Sequence, residues 1–181
     1  MSEPRDLSAR ITVLIAAEEI AARNHALARD IVAALGRSPL IVPVLKGSFV
    51  FAADLLRALH EAGAAPDMDF ITLSSYGADT TSRGEVTIIR DTEVPVAGRD
   101  VLLVDDILES GRTLAYAKDL MIARGARSVA ICVLLHKKGK QVVDVAPDFV
   151  GFDCPDRFVI GYGMDVGHAY RQLPFVGYIE D

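Results

Sequence analysis

The chain has 181 residues, 51% hydrophobic and 24% charged, and carries a formal net charge of −6. That length suits one domain with a full core, and that composition belongs to globular rather than disordered chains. The acidic balance argues against general nucleic-acid binding, which shows as a basic excess, but not against anionic small molecules held by backbone N–H groups.

No stretch approaches the roughly 18 consecutive apolar residues of a membrane span. Met1 to Arg10 includes Glu3 and Asp6 and leads into no signal-type apolar region. A cytoplasmic protein without membrane or nucleic-acid partners is expected. Cys132 and Cys154 have no CxxC spacing and no His at zinc-finger distance, so they read as reduced thiols.

In chain order, Glu18 to Leu35 reads as a helix, with Ile20, Leu27, Ile31 and Leu35 at helical spacings and Gly36 as its stop. Leu40 to Leu45 is a short apolar run, and Phe49 to Ala62 a second helix before Gly63. Asp69 to Ser75 looks like a strand, Tyr76 to Gly84 a polar loop, and Glu85 to Arg90 a further strand. Val101 to Val104 is a wholly apolar strand, Thr113 to Arg124 a helix, and Ser128 to Leu135 another apolar strand. Apolar strands alternating with helices predict an α/β fold whose central, mostly parallel sheet is covered on both faces. Asp148 to Asp181 breaks the pattern with short pieces separated by Gly and Pro, which predicts a small lobe laid over the sheet.

In such a sheet, ligands sit beyond the carboxyl ends of the strands. Three polar clusters occupy that position: Lys46-Gly47-Ser48, Asp105 to Thr113, and His136-Lys137-Lys138. The middle one has the clearest chemistry. A strand delivers Asp105 and Asp106, Glu109 follows, and Ser110-Gly111-Arg112-Thr113 turns into a helix. Successive N–H groups at a helix start form a phosphate pocket, and paired carboxylates suit the cis-diol of a ribose. Together they describe a ribose 5-phosphate site.

This segment resembles the motif of the type I phosphoribosyltransferases, more closely the hypoxanthine (hypoxanthine-guanine) phosphoribosyltransferases, and the resemblance runs from about Ile11 to Ile179. It implies one domain, with a core of about 16–147 and a hood of about 1–15 and 148–181. It also implies Mg²⁺, a 6-oxopurine base and 5-phosphoribosyl 1-diphosphate (PRPP) as substrates, and a homodimer or homotetramer. Leu45-Lys46-Gly47-Ser48 matches the family's pyrophosphate loop, and Ser75-Tyr76 its mobile catalytic loop. Lys137 falls where the family reads the 6-oxo group, and Phe158-Val159 where it stacks and contacts the base. Gly161-Tyr162-Gly163-Met164-Asp165 and Tyr170-Arg171 look like its C-terminal signature. There Asp165 is a Mg²⁺ ligand near the diol acids Asp105 and Asp106 and, with Val159, part of the purine site, and Arg171 faces pyrophosphate.

The same resemblance makes Glu109 the acceptor of the purine N7 proton, although this family usually has Asp there. The extra methylene adds about 1.5 Å, one C–C bond. His25, His60, His136 and His168 show no metal-ligand pattern. Two other readings are weighed: a nucleotide-sensing regulator on the same fold, and a same-fold enzyme for xanthine or another base. The first fits poorly with an acidic chain that carries both C-terminal segments.

Overall fold

The computed structural model describes residues 10–75 and 86–180. Its main sheet is built on four parallel strands, β2 (Leu40–Leu45), β6 (Asp100–Leu108), β7 (Ser128–His136) and β8 (Phe149–Asp153). On the other side of β2 lie β3 (Asp67–Met68) and β4 (Ile71–Ser75), both parallel to it. The antiparallel β5 (Val86–Arg90) closes that edge, and the order is β5-β4-β2-β6-β7-β8. The expected α/β architecture with a mostly parallel sheet is present.

Three helices cover the sheet: α1 (Ala17–Leu35), α2 (Phe49–Glu61) and α3 (Arg112–Ala123). Helix α1 buries Ile20, Leu27, Ala28 and Ile31, the stripe that the sequence spacing predicts, each large side chain worth about 1.5–3 kcal/mol. Its start lacks a side-chain cap at Ala16, and the Glu19 carboxylate accepts the Ala16 N–H instead, at 2.9 Å. One apolar cluster lies between the sheet and α1 and α2, around Phe51, Leu55 and Leu102. The other lies under α3, around Leu103, Leu114 and Met121. Successive β6 residues thus enter opposite cores, which is why the strand reads as unbroken apolar sequence.

A second, antiparallel sheet forms the hood from β1 (Ile11–Ile15), β10 (Val176–Ile179) and β9 (Val159–Ile160). One expectation is corrected here. Phe149 to Asp153 does not belong to the hood; it is β8, paired parallel with β7 at the edge of the main sheet. No helix precedes it, so the β-α-β rhythm that signals a parallel strand is missing from the sequence. The edge is partly covered by Arg23 of α1, whose Nε and Nη2 donate to the carbonyls of Gly151 (3.0 Å) and Val150 (2.6 Å). Gly151 allows close pairing, since a Cβ there would lie 2.4 Å from the Leu134 carbonyl oxygen.

Candidate active site

Strand β6 does not end at Val104 as its apolar run suggests. It continues through both aspartates to Leu108, pairing Asp105 with Val133 and Leu108 with His136. The carboxylates are therefore held by a sheet register rather than by a loop. Asp105 is 8% exposed, and its Oδ1 accepts the Asp106 N–H at 2.9 Å. Burial, then the adjacent charge of Asp106, holds the Asp105 carboxyl well above its ordinary range; burial also raises Asp106. Asp105 is buried and Asp106 half-buried, with the Arg171 charge acting on Asp106, and the pair is poised to take hydroxyl donors or a cation.

Two recesses meet at this strand end. The smaller, about 80 Å³, is lined by Asp105, Glu109, Ser110, Gly111 and Thr113 at the start of α3. Gly111 caps α3 in the left-handed conformation, with φ 82°. A Cβ there would meet the Val143 carbonyl oxygen at 2.6 Å, so glycine is required twice over. The Ser110 carbonyl accepts the N–H groups of Val142 and Val143, which fixes the turn. The first N–H groups of a helix have no intrahelical partner, and here they face a recess of phosphate size. Arg112 starts the helix but does not line the recess.

The larger recess is a cleft of about 480 Å³ that brings together Lys46, Gly47, Asp106, Glu109, Lys137, Phe158, Val159, Asp165 and Arg171. These come from five separate stretches of sequence. At one end Lys137, 6% exposed, pairs through Nζ with Glu109 Oε1 at 3.3 Å. Above them Phe158 is 63% exposed, so its ring is open to stacking and is not part of the core. Val159, its neighbour in β9, is buried.

At the other end lies the turn after β2. The Leu45–Lys46 peptide is cis. Asp106 packs directly on Gly47, where an added Cβ would meet Asp106 Oδ2 at 1.8 Å. Arg171 is held by Asp165 Oδ1 at 2.7 Å and donates to the Gly163 carbonyl at 2.6 Å. The other oxygen of Asp165 accepts the His168 N–H at 2.7 Å.

Among the described residues no group of three or more His, Cys, Asp or Glu side chains gathers at one point. Asp106 and Asp165 both face the cleft, however, and their oxygens suit a hard cation that takes its remaining ligands from water and substrate. Asp105 faces the smaller recess. Ser75 ends β4, and Tyr76 lies outside the described residues.

Thr72, Leu73, Ile89, Ile107, Met164 and His168 also line the cleft and were not among the expected site residues. Ile107 could have been found, since it lies between Asp106 and Glu109. Met164 could have been found likewise, beside Asp165, and Thr72, Leu73, Ile89 and His168 reach the cleft through tertiary placement. A third cavity, about 810 Å³, lies between α1, α2 and Gln172 to Pro174 and shares Arg171 with the cleft. It lies away from the strand ends that carry the carboxylates.

A parallel sheet with acids at a strand end, a phosphate-sized recess at a helix start and a cleft of mixed charge beside it is the layout of an α/β protein suited to a phosphorylated small molecule. Comparison with known proteins narrows this. Residues 13–166 match the model of the phosphoribosyl transferase domain. The chain is 42% identical over 169 residues to the hypoxanthine-guanine phosphoribosyltransferase of Bacillus subtilis, covering 93% of this chain and 92% of that one. A crystal structure of a hypoxanthine-guanine phosphoribosyltransferase from Bacillus anthracis superposes with a TM-score of 0.87 at 38% identity, over 93% of this chain and 98% of that one. The chain also matches the bifunctional protein TilS/HprT of Listeria innocua at 44% identity over 93% of its own length, and spans 26% of that longer protein. The chain belongs to the phosphoribosyltransferase family, on its hypoxanthine-guanine branch.

Proposed function

We propose that the protein transfers a 5-phosphoribosyl group from PRPP to hypoxanthine, and also to guanine, releasing diphosphate. The observation that carries this reading is the Glu109–Lys137 pair, an acceptor and a donor 3.3 Å apart in a cleft that the exposed Phe158 also lines. A 6-oxopurine presents the complementary pair along one edge, the O6 acceptor beside the N7–H donor.

In the reaction the purine N9 forms the bond to ribose C1′ as the bond from C1′ to the diphosphate oxygen breaks, with inversion. Glu109 accepts the N7 proton, so the nucleotide leaves neutral at the base. Lys137 donates to O6, and adenine would set its amino group, a donor, against the buried ammonium where an acceptor is wanted. Phe158 stacks on the base, and the Val159 backbone contacts its edge. The turn Ser110 to Thr113 binds the 5-phosphate, with Arg112 at its rim. Asp105 and Asp106 take the ribose hydroxyls. Lys46, the Gly47 backbone and Arg171 grip the diphosphate, and Ser75, at the end of β4, with Tyr76, outside the described residues, is assigned to excluding water during transfer.

Asp165, with Asp106 and Asp105 nearby, would hold Mg²⁺, which when bound offsets charge on the departing diphosphate. In the described residues no helix is long and apolar enough to cross a membrane. The free thiols of Cys132 and Cys154 suit a reducing compartment, and the reading includes a cytoplasmic homodimer or homotetramer. The direct test is diphosphate release on mixing protein, PRPP and hypoxanthine in magnesium chloride. Release that requires hypoxanthine supports the reading; release independent of any base leaves only a hydrolase.

A further inference from the structure

Between the diphosphate end of the cleft and the helical face of the molecule stands Tyr162. It is 4% exposed and adopts φ 49°, a conformation that a residue with a Cβ keeps only when its surroundings over-determine it. Its hydroxyl donates to Asp54 Oδ2 on α2 at 2.7 Å and accepts from Asn24 Nδ2 on α1 at 2.9 Å. Its backbone N–H donates to the Leu173 carbonyl at 2.9 Å.

The next residue, Gly163, touches two of the three groups assigned to diphosphate. Its N–H donates to the Arg171 carbonyl at 3.0 Å, and its own carbonyl accepts from Arg171 Nη1 at 2.6 Å. Its backbone also lies against the Gly47 turn, where a Cβ on Gly163 would be 2.2 Å from the Gly47 carbonyl oxygen. Helix α2 begins at Phe49, two residues after Gly47. One phenol hydroxyl thus refers both Arg171 and the Gly47 turn to the same helix.

We propose that Tyr162 is a positioning residue for the diphosphate end of the site, acting through its hydroxyl on Asp54 and through Gly163 on Arg171 and Gly47. The inference rests on the phosphoribosyl-transfer reading. Replacing Tyr162 by Phe keeps the ring and its packing. It leaves the buried Asn24 side chain, whose Oδ1 already lacks a partner, without its hydroxyl acceptor, and it frees Asp54 Oδ2, while Asp54 Oδ1 stays with Arg57 at 2.7 Å. The Gly161–Asp165 loop then loses its anchor, and the loss falls on diphosphate rather than on the base, which is held at the far end by Lys137 and Phe158.

The experiment measures the Kd of inorganic pyrophosphate by calorimetry in magnesium chloride, together with the KM of each substrate. It compares the parent chain with Tyr162→Phe, Asp54→Ala and Asp54→Asn. Tyr162→Phe and Asp54→Ala are expected to weaken pyrophosphate and raise the PRPP KM about five- to tenfold, the scale of one lost hydrogen bond, with the hypoxanthine KM unchanged. Asp54→Asn keeps an acceptor and should match the parent.

A parental pyrophosphate Kd in both disrupted variants overturns the proposal, as does an equal rise in both KM values. Asp54→Asn failing as badly as Asp54→Ala overturns it too. If Tyr162→Phe does not fold, Asp54→Ala decides, since the Asp54 side chain is 40% exposed. A parent that binds pyrophosphate but does not use hypoxanthine removes the base assignment and leaves the pyrophosphate comparison to judge Tyr162. A parent that binds no pyrophosphate removes both.

Discussion

Glu109 is the residue on which the chemistry turns. Its side chain is half-exposed and leans toward the ammonium of Lys137, so the longer side chain ends within reach of the same purine edge as its partner. Glu109 stands just beyond the end of β6, one residue after Leu108. Glu109→Gln is expected to lower kcat about 10²- to 10⁴-fold, the usual worth of a positioned general base. PRPP binding should be unchanged, as read by calorimetry. Unaltered kcat in that variant would remove Glu109 from proton transfer. The identity of this residue was legible in the sequence, as were Asp105, Lys137 and Arg171. What the sequence could not give was pairing. That Glu109 holds Lys137 depends on stretches 28 residues apart, and that Asp165 holds Arg171 depends on how the intervening turns fold back.

At the scale of elements, the site is assembled from strand ends, and backbone approach governs it. The turn after β2 passes so close to β6 that a Cβ at position 47 would displace the Asp106 carboxylate. Gly47→Ala drives a methyl group into the Asp106 carboxylate. It is expected to abolish measurable PRPP binding while leaving the melting temperature within a few degrees, since the turn borders the core without filling it. A variant that binds PRPP normally would show that the turn can move aside. The elements themselves were mostly evident from periodicity, as with the Ile20, Leu27 and Ile31 stripe of α1. Two were misjudged for a common reason. Apolar run length predicted that β6 stops at Val104, and the lack of a preceding helix hid β8, yet both are defined by pairing with β7. Cross-strand pairing leaves no local signature when aspartates sit in a central strand or when a loop replaces the crossover helix.

Across the whole molecule, the two ends of the sheet divide the work. The carboxyl ends carry buried, like-charged acids; the amino ends carry satisfied ion pairs. Asp100 opens β6 and accepts from Arg127 and, at 2.7 Å, from Ser128 at the start of β7. Arg127, then Ser128, lowers its carboxyl from 3.8 to about 2. A folded value below the unfolded one means that the native state binds fewer protons in that interval. The pair therefore stabilises above about pH 4, and its contribution disappears as pH falls from about 4 to about 2. Asp100→Asn should melt below the parent at pH 7, and the gap should close over that acid interval; a gap that persists at pH 2 would assign the loss to packing. Activity at neutral pH should survive, because this end of the sheet touches no substrate.

The central claim is the choice of base. It is tested most directly by kcat/KM for hypoxanthine, guanine, xanthine, adenine and uracil at saturating PRPP and magnesium. The account predicts efficient turnover of hypoxanthine and guanine, with adenine and uracil far below them. Preference for adenine or uracil, or turnover of none of the purines, would contradict it.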